Sequence, residues 1–344
     1  MNDFAEISAM LEALCNAKGV SGAENEAAII ASEMLSKYMP VSTDALGSVT
    51  GRKEGKGPHI LLDAHLDQIG LIITAVDGDG FLKFTKCGGA DRRVLAAAEV
   101  TVHGKEKLFG VVTSTPPHLS KPEDASKALP FDAMAIDIGL SKEAAEKLVS
   151  AGDRVTFNGG YHQLLDNRIS SPSVDDRAGV AAVLRSLEIL EEKGVDCNLS
   201  VMFSVQEETG GSGAKAAAFA AEADEAIAVD VSFASAPSVS AEKYASLGKG
   251  TMIGFAPSLD YAMSKKLETI AKRENIPYQP EVMGGKTGTN CDDIQVAGKG
   301  VKTALLSVPL RNMHTACEVC DLEDIENTAR LMAEYIAERS KENA

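Results

Sequence analysis

The sequence predicts an α/β protein with a mostly parallel central sheet, helices on both faces of that sheet, and a small inserted β-rich domain. Apolar, β-like runs alternate with long helical patterns at both ends of the chain, which is the signature of βαβ units. Between about residues 69 and 166 short β runs dominate instead. The 344 residues also exceed one ordinary core. We therefore expect a discontinuous larger domain (1–68 and 167–344) and an inserted, barrel-like β domain (69–166).

The first segment is predicted to be two helices followed by two strands. Residues 3–17 place apolar side chains on one helical face, and Ser21–Glu24 has the pattern of a capping box that opens a second helix, to about Tyr38. Strand-like runs follow at about Ser48–Arg52 and His59–Leu62.

The inserted segment is predicted to be almost all β, with one helix near Ser141–Val149 and an irregular exposed loop at Pro116–Pro130. Its predicted strands are Leu71–Val76, Phe81–Lys86, Val100–His103, Phe109–Thr113, Met134–Ile138 and Val155–Phe157.

Long alternating elements return after Asp175-Asp176-Arg177. The predicted helices are Ala178–Lys193, which Gly194 ends, Ala214–Ala221, Ser258–Glu274 and Leu322–Lys341. The predicted strands are Leu199–Val205, Ala226–Val229, with Asp230 at its end, and Thr303–Val308.

Residues able to bind metal follow several of these predicted strands. His65, the adjacent acids Glu207 and Glu208, Asp230 and His314 each follow an apolar run, and Asp175 precedes a helix. Open α/β sheets bind ligands at the carboxyl ends of their strands, so these side chains should meet there. Alone, His65, His314 or the acid pair is more often a core histidine, a surface residue or an exposed turn, and Asp230 is equally often a cap.

Together, two histidines with three or four carboxylates suit zinc, cobalt or manganese. The set holds one carboxylate too many for a single tetrahedral ion, which indicates two ions that share a bridging acid.

Composition excludes several functions. The net charge of −16 and the pI near 4.9 argue against a nucleic-acid partner. No apolar stretch reaches 18 residues, and the first residues lack a basic secretory signal, so we expect no membrane span and a cytoplasmic location. Six cysteines in so long a chain do not form a disulfide framework. Cys317 and Cys320 supply only two of the four ligands that a structural zinc site needs.

The candidate ligands lie in motifs that resemble those of the tetrahedral (TET) and glutamyl aminopeptidases, in the same order. These motifs are Asp63-Ala64-His65-Leu66-Asp67, Val174-Asp175-Asp176-Arg177, Gln206-Glu207-Glu208-Thr209-Gly210, Val229-Asp230-Val231 and Pro309-Leu310-Arg311-Asn312-Met313-His314-Thr315. The inserted segment is similar as well, at Gly88–Leu95, Pro116–Leu119 and Ile136–Gly139.

The resemblance implies a peptidase that uses two divalent metal ions, zinc first and cobalt or manganese as alternatives, to remove N-terminal residues from short peptides. In the implied site Asp175 bridges the ions, His65 and Asp230 complete one, and Glu208 and His314 complete the other. Glu207 is the implied general base, and Asp67 holds His65 in its ligating orientation. The resemblance also implies a cis peptide bond between Asp175 and Asp176. It further implies that the inserted domain mediates assembly of a homo-oligomer, a tetrahedral dodecamer.

The chain departs from the family pattern at Gln68, where Glu is usual, at Asn312, where Tyr is common, and at Ala316-Cys317, which replaces a step containing Pro. None of these removes a ligand, but the preferred N-terminal residue and the physiological metal stay open. Alternative functions are an amidase or deacylase with the same metal centre, a glycosidase, and a non-catalytic peptide-binding protein. The glycosidase is disfavoured by the absence of Trp and the 5% aromatic content.

Overall fold

The computed structural model describes residues 4–119, 127–237, 239 and 244–342. The helices are α1 (Ala5–Asn16), α2 (Asn25–Leu35), α3 (Lys142–Leu148), α4 (Val174–Glu192), α5 (Ser212–Ala221), α6 (Tyr261–Arg273), α7 (Cys291–Ile294) and α8 (Leu322–Arg339). The strands are β1 (Val41–Thr43), β2 (Val49–Lys53), β3 (Ile60–His65), β4 (Gly70–Val76), β5 (Leu82–Cys87), β6 (Glu99–His103), β7 (Lys107–Val112), β8 (Ile136–Asp137), β9 (Arg154–Phe157), β10 (His162–Gln163), β11 (Arg168–Ser171), β12 (Leu199–Ser204), β13 (Glu225–Phe233), β14 (Thr251–Phe255), β15 (Tyr278–Val282), β16 (Lys302–Leu310) and β17 (Glu318–Asp321).

The central sheet has the strand order β1-β2-β12-β3-β13-β16-β14-β15 in the described part of the chain. The four middle strands, β12, β3, β13 and β16, are parallel to one another. Antiparallel pairs flank them, between β2 and β12 and between β14 and β16, so the sheet as a whole is mixed. The carboxyl ends of the four parallel strands therefore lie side by side at one edge of the sheet.

Both faces of this sheet are covered, which confirms the predicted fold class. Alternate residues of a strand face opposite sides, and in β3 Leu62 belongs to the core cluster that includes α1, α4 and α8 residues. Its neighbour Leu61 belongs to a second cluster with α5 and α7 residues. The second layer is built largely from alanines, such as Ala226 and Ala228 of β13.

Strands β4-β5-β8-β7-β6-β9 form a closed barrel that shares no strand with the central sheet and has its own apolar core. Its strands lie within the segment that the sequence marked as inserted and β-rich. Strand β10, at the end of that segment, pairs instead with β11, in a small sheet that β17 completes.

Some local predictions were wrong. Ser21 and Glu24 form no capping box: α2 begins at Asn25, its N-cap Glu24 makes no side-chain capping bond, and the Ser21 hydroxyl donates to Asp67 instead. Asp230 does not end its strand, because β13 continues to pair with β16 as far as Phe233.

The sequence pattern also predicted no strand at several short segments, which are β1, β10, β11, β14, β15 and β17. Of the predicted irregular loop at 116–130, residues 120–126 lie outside the described residues. None of the described helices has the length and apolar character needed to cross a bilayer.

Candidate metal centre

The candidate ligands meet at the carboxyl edge of the four parallel strands, as the sequence predicted. His65 is the last residue of β3, and Asp230 lies in the neighbouring strand β13. Glu208 follows β12 in a turn, and His314 comes four residues after the end of β16.

Asp175 enters from the start of α4, where Asp175 and Asp176 have non-helical dihedral angles. The peptide bond between them is cis, as predicted.

Asp175 lies between the two histidines. One of its carboxylate oxygens is 3.1 Å from Nε2 of His65, and the other is 3.3 Å from Nε2 of His314. Asp230 approaches the first histidine, with 3.9 Å between its oxygen and Nε2 of His65. Glu208 approaches the second, with 3.5 Å between its Oε1 and Nε2 of His314. The result is two groups of three ligand atoms, each group within 4.8 Å, that share Asp175.

The first group is held in place by buried hydrogen bonds. Nδ1 of His65 is 3.0 Å from the carbonyl oxygen of Asp67. Because a carbonyl can only accept, Nδ1 carries the proton and Nε2 is the nitrogen available for coordination. The backbone N–H of His65 donates to the carboxylate of Asp176, which also accepts from the N–H of Gly179.

The Asp67 carboxylate contributes more than the predicted orientation of His65. It accepts from the backbone N–H groups of Glu207 (2.9 Å) and Glu208 (3.1 Å) and from the Ser21 hydroxyl (2.5 Å). The Asp67 carboxylate is 3.5 Å from Nδ1 of His65, whereas the Asp67 carbonyl oxygen is 3.0 Å from the same nitrogen. Asp67 therefore orients His65 mainly through its backbone and fixes the turn that carries both glutamates through its side chain.

Glu318, which the sequence pattern did not single out, joins two ligand segments. Its side chain is buried, and its two carboxylate oxygens accept from the backbone N–H of Asp175 (3.1 Å) and from that of His314 (2.8 Å). Burial raises the pKa of Glu318 well above the usual range for glutamate, and the neighbouring Asp175 raises it further. The only sequence signal was a glutamate just after the His314 segment, which is too common to be informative.

The barrel forms one wall of the centre. A Cβ atom at Gly89 would lie 2.3 Å from Nδ1 of His314, and one at Gly88 would lie 3.2 Å from Oε2 of Glu208. Both residues follow β5 of the barrel. At Gly89 in particular, no larger residue fits unless His314 moves. In the sequence these glycines stood out only as part of the family resemblance.

The electrostatics of the site favour a cation. Burial raises the pKa of Glu207, Glu208 (to about 8) and Asp230. The pKa of Asp175 is instead lowered. Burial opposes the ionisation of Asp175, but the adjacent His314 and His65 outweigh that effect. Several buried acids with only two histidines to balance them form a site that a bound cation would stabilise.

The donor set fits such a cation, and one atom in particular needs a partner. Oε1 of Glu208 is buried and accepts no hydrogen bond, and 3.5 Å to His314 is too long for one. Buried polar atoms are rarely left without a partner. Imidazole nitrogens and carboxylate oxygens are ligands that divalent zinc, cobalt and manganese accept.

Four of the described non-glycine residues with positive φ lie at or beside the candidate ligands. Ser173, Gln206, Asn312 and His314 have φ between 56° and 63°, a left-handed conformation that non-glycine residues rarely adopt. Such residues are typical of functional sites, where surrounding contacts hold them in place. The cysteines at 317 and 320 are free, and neither belongs to a metal-ligand group among the described residues.

The comparisons with known proteins agree on one family. The family description "M42 glutamyl aminopeptidase" matches residues 47–331. The chain is 33% identical, over 87% of each sequence, to a lysyl aminopeptidase of Pyrococcus furiosus. Its structure resembles an aminopeptidase of Desulfurococcus kamchatkensis (TM-score 0.91, 31% identity, 98% and 97% of the two chains).

It also resembles the TET1 peptidase of Pyrococcus horikoshii, which can assemble into a tetrahedron or a large octahedral shell (TM-score 0.84, 31% identity, 96% and 99% of the two chains). The chain belongs to the M42 glutamyl aminopeptidase family, whose members are metallopeptidases that hydrolyse peptide bonds.

Proposed function

We propose that this protein is an aminopeptidase that uses two divalent metal ions to remove N-terminal residues from short peptides. The position of Asp175 carries this proposal: it directs one carboxylate oxygen to each of the two histidines. A carboxylate placed in this way can bridge two ions, and each ion then has two further ligands within reach.

Three residues would hold each ion. His65, Asp175 and Asp230 would hold one, and Asp175, Glu208 and His314 the other, with zinc the first choice and cobalt or manganese also suited. When bound, two such ions polarise the scissile carbonyl and activate a water.

Glu207 is the proposed general base. It lies beside Glu208 but belongs to neither ligand group, so its carboxylate is free to move a proton. Its backbone N–H is fixed by Asp67, which holds it next to the centre. In this position Glu207 would take the proton from the attacking water and give it to the leaving amine. The strand ends at Ser204, before both glutamates, so alternation along a strand does not distinguish their roles; the contact of Glu208 with His314 does.

Two matched variants test this division. Glu207→Gln should keep both ions and a KM within a few-fold of the wild-type value, and lose about 10²–10⁴ in kcat. Glu208→Gln should weaken one metal site, with activity partly recovered at high zinc or cobalt. Metal content and kcat measured on both variants decide between the roles, and the opposite pattern would reverse the assignment. Aminoacyl-anilides with added zinc or cobalt are the assay substrates; preferential cleavage of acylated amino acids would indicate a deacylase instead.

The barrel is the proposed oligomerisation domain, and a tetrahedral dodecamer is the proposed assembly. The assembly of the TET1 peptidase and the separate core of the barrel support this idea. Static light scattering at micromolar concentration tests the assembly, and a monomer would contradict it.

A further inference from the structure

An open pocket of about 550 Å³ adjoins the second metal-ligand group. His314 and Met313 form its wall on the central-sheet side. The barrel supplies the other walls, Lys86, Gly89–Arg92 and Phe131. Because His314 is both a proposed ligand and a wall residue, a substrate whose scissile bond lies at the metal centre has this pocket within reach.

The pocket carries uncompensated positive charge. Among the described residues, neither Lys86 nor Arg92 forms an ion pair, and both are exposed. The pocket has one carboxylate of its own, Asp91, and Arg93 neutralises it: the Arg93 Nε–H donates to both carboxylate oxygens at 3.0 and 2.9 Å, and Nη2 donates at 2.6 Å. Lys86 and Arg92 are therefore available to bind a group that enters the pocket.

The positive charge of the pocket is opposite in sign to the formal net charge of the chain, which is −16. Anions are repelled by most of such a surface, so a local pair of free cations beside the site makes the pocket selective for an anionic group. Its other side chains, Phe131 and Met313, are apolar and half-buried. Together they suit a short aliphatic segment that ends in a carboxylate.

We propose that Lys86 and Arg92 form a subsite that binds a carboxylate of the peptide substrate. This inference rests on the proposed aminopeptidase function. The carboxylate comes from one of two sources, the side chain of an acidic residue or the free C-terminus of a short peptide. In either case Arg92 can donate two parallel hydrogen bonds, and Lys86 acts as a point charge.

The subsite acts on binding and not on the chemical step. Its cations lie in an open pocket and touch neither the candidate general base nor the ligand carboxylates in any described contact. Uniform binding of ground state and transition state changes KM and leaves kcat unaltered. Because the cations are exposed, salt should weaken the interaction.

Charge reversal tests the subsite. The variants are Lys86→Glu and Arg92→Glu, and the control is Lys105→Glu, the same change at an exposed lysine of the same barrel that does not line the pocket. The substrates are leucyl-leucine, which has a free C-terminus, leucyl-leucinamide, which has no carboxylate, and glutamyl-leucinamide, which has only the side-chain carboxylate. Each is assayed with the zinc-loaded enzyme at low salt and with 0.5 M NaCl.

We expect both pocket variants to raise KM about tenfold for one carboxylate substrate, with kcat within twofold of wild type. An increase for leucyl-leucine identifies the C-terminus as the source, and one for glutamyl-leucinamide identifies the acidic side chain. Leucyl-leucinamide should be unaffected, and salt should raise the wild-type KM only for the carboxylate substrate. Equal effects on all three substrates, or none beyond the control, would overturn the subsite. If the wild-type enzyme cleaves none of the three, the proposed function itself fails.

Discussion

Replacement of Gly89 by alanine tests whether the barrel shapes the metal centre. The new Cβ would lie 2.3 Å from Nδ1 and 2.6 Å from Cε1 of His314, whereas ordinary contacts begin at 3.4 Å. Gly89 does not have a φ in the left-handed region, and the three atoms nearest to the new Cβ all belong to the His314 ring. The imidazole must move by about 1 Å, a displacement that can cost about 10²-fold in catalysis.

The movement has a specific consequence. Nε2 of His314 now lies 3.3 Å from Asp175 and 3.5 Å from Glu208, and a displaced ring cannot keep both distances. We expect kcat/KM to fall about 10²-fold and one of the two proposed metal ions to be lost, while the free energy of unfolding falls by only about 1–3 kcal/mol. Metal content by mass spectrometry, kcat/KM and urea unfolding measure the three effects.

The control is Gly78→Ala, in the turn between β4 and β5 of the same barrel. A Cβ there meets nothing within 4 Å, and φ is again not positive. This variant should match the wild-type enzyme in all three measurements. A Gly89→Ala enzyme that keeps both ions and a kcat/KM within twofold of wild type would refute the close approach of the barrel to His314.

Two further variants probe the surroundings of the centre, and a third tests a histidine of the barrel. Glu318→Gln leaves one acceptor oxygen for two backbone N–H groups. Zinc titration of the metal-free protein should therefore show an affinity reduced about 10- to 100-fold at one site. The control Glu323→Gln changes an exposed neighbour and should leave the zinc affinity unchanged. Asp67→Asn leaves too few acceptor atoms for the three groups that donate to the Asp67 carboxylate. We expect kcat to fall about 10- to 100-fold while the far-UV circular dichroism stays normal. An unchanged kcat would contradict the role of Asp67. Burial, with Lys18 and Lys107 nearby, lowers the pKa of His103 to about 4, although Glu26 opposes the shift. The unfolded chain therefore binds this proton first, and the stability present above pH 6.5 is lost as the pH falls toward 4. In urea unfolding, the free energy of unfolding of His103→Gln should fall less steeply with decreasing pH over this interval than that of the wild-type protein. Equal pH dependence in the two proteins would be evidence against this role of His103.

The gathering of the candidate ligands at one edge of the sheet was predictable because it depends on local pattern and one general rule of topology. Apolar runs marked the strands, and parallel strands bring their carboxyl ends to one edge of a sheet. His65, the two adjacent glutamates and His314 could therefore be placed together from their positions in the sequence. The inserted β segment was equally visible, since a change from helical to strand periodicity is itself a local property.

Errors arose where a distant residue competes with a local one. Ser21 and Glu24 have the spacing of a capping box, yet the Ser21 hydroxyl donates to Asp67, 46 positions along the chain. Strand β15 was also missed. It contains Pro280, which is tolerated because β15 lies at the edge of the sheet in the described part of the chain.

By itself, the sequence determined which residues can bind metal and at which edge of the sheet they gather. Only the tertiary structure decided what holds them there. Glu318 accepts from Asp175 across 143 positions of sequence, and Gly89 lies against His314 although the two belong to the barrel and to the segment after β16. The physical reason is that hydrogen-bond partners and steric contacts of this kind depend on distances in space, and the sequence pattern near Glu318 or Gly89 contains no information about them.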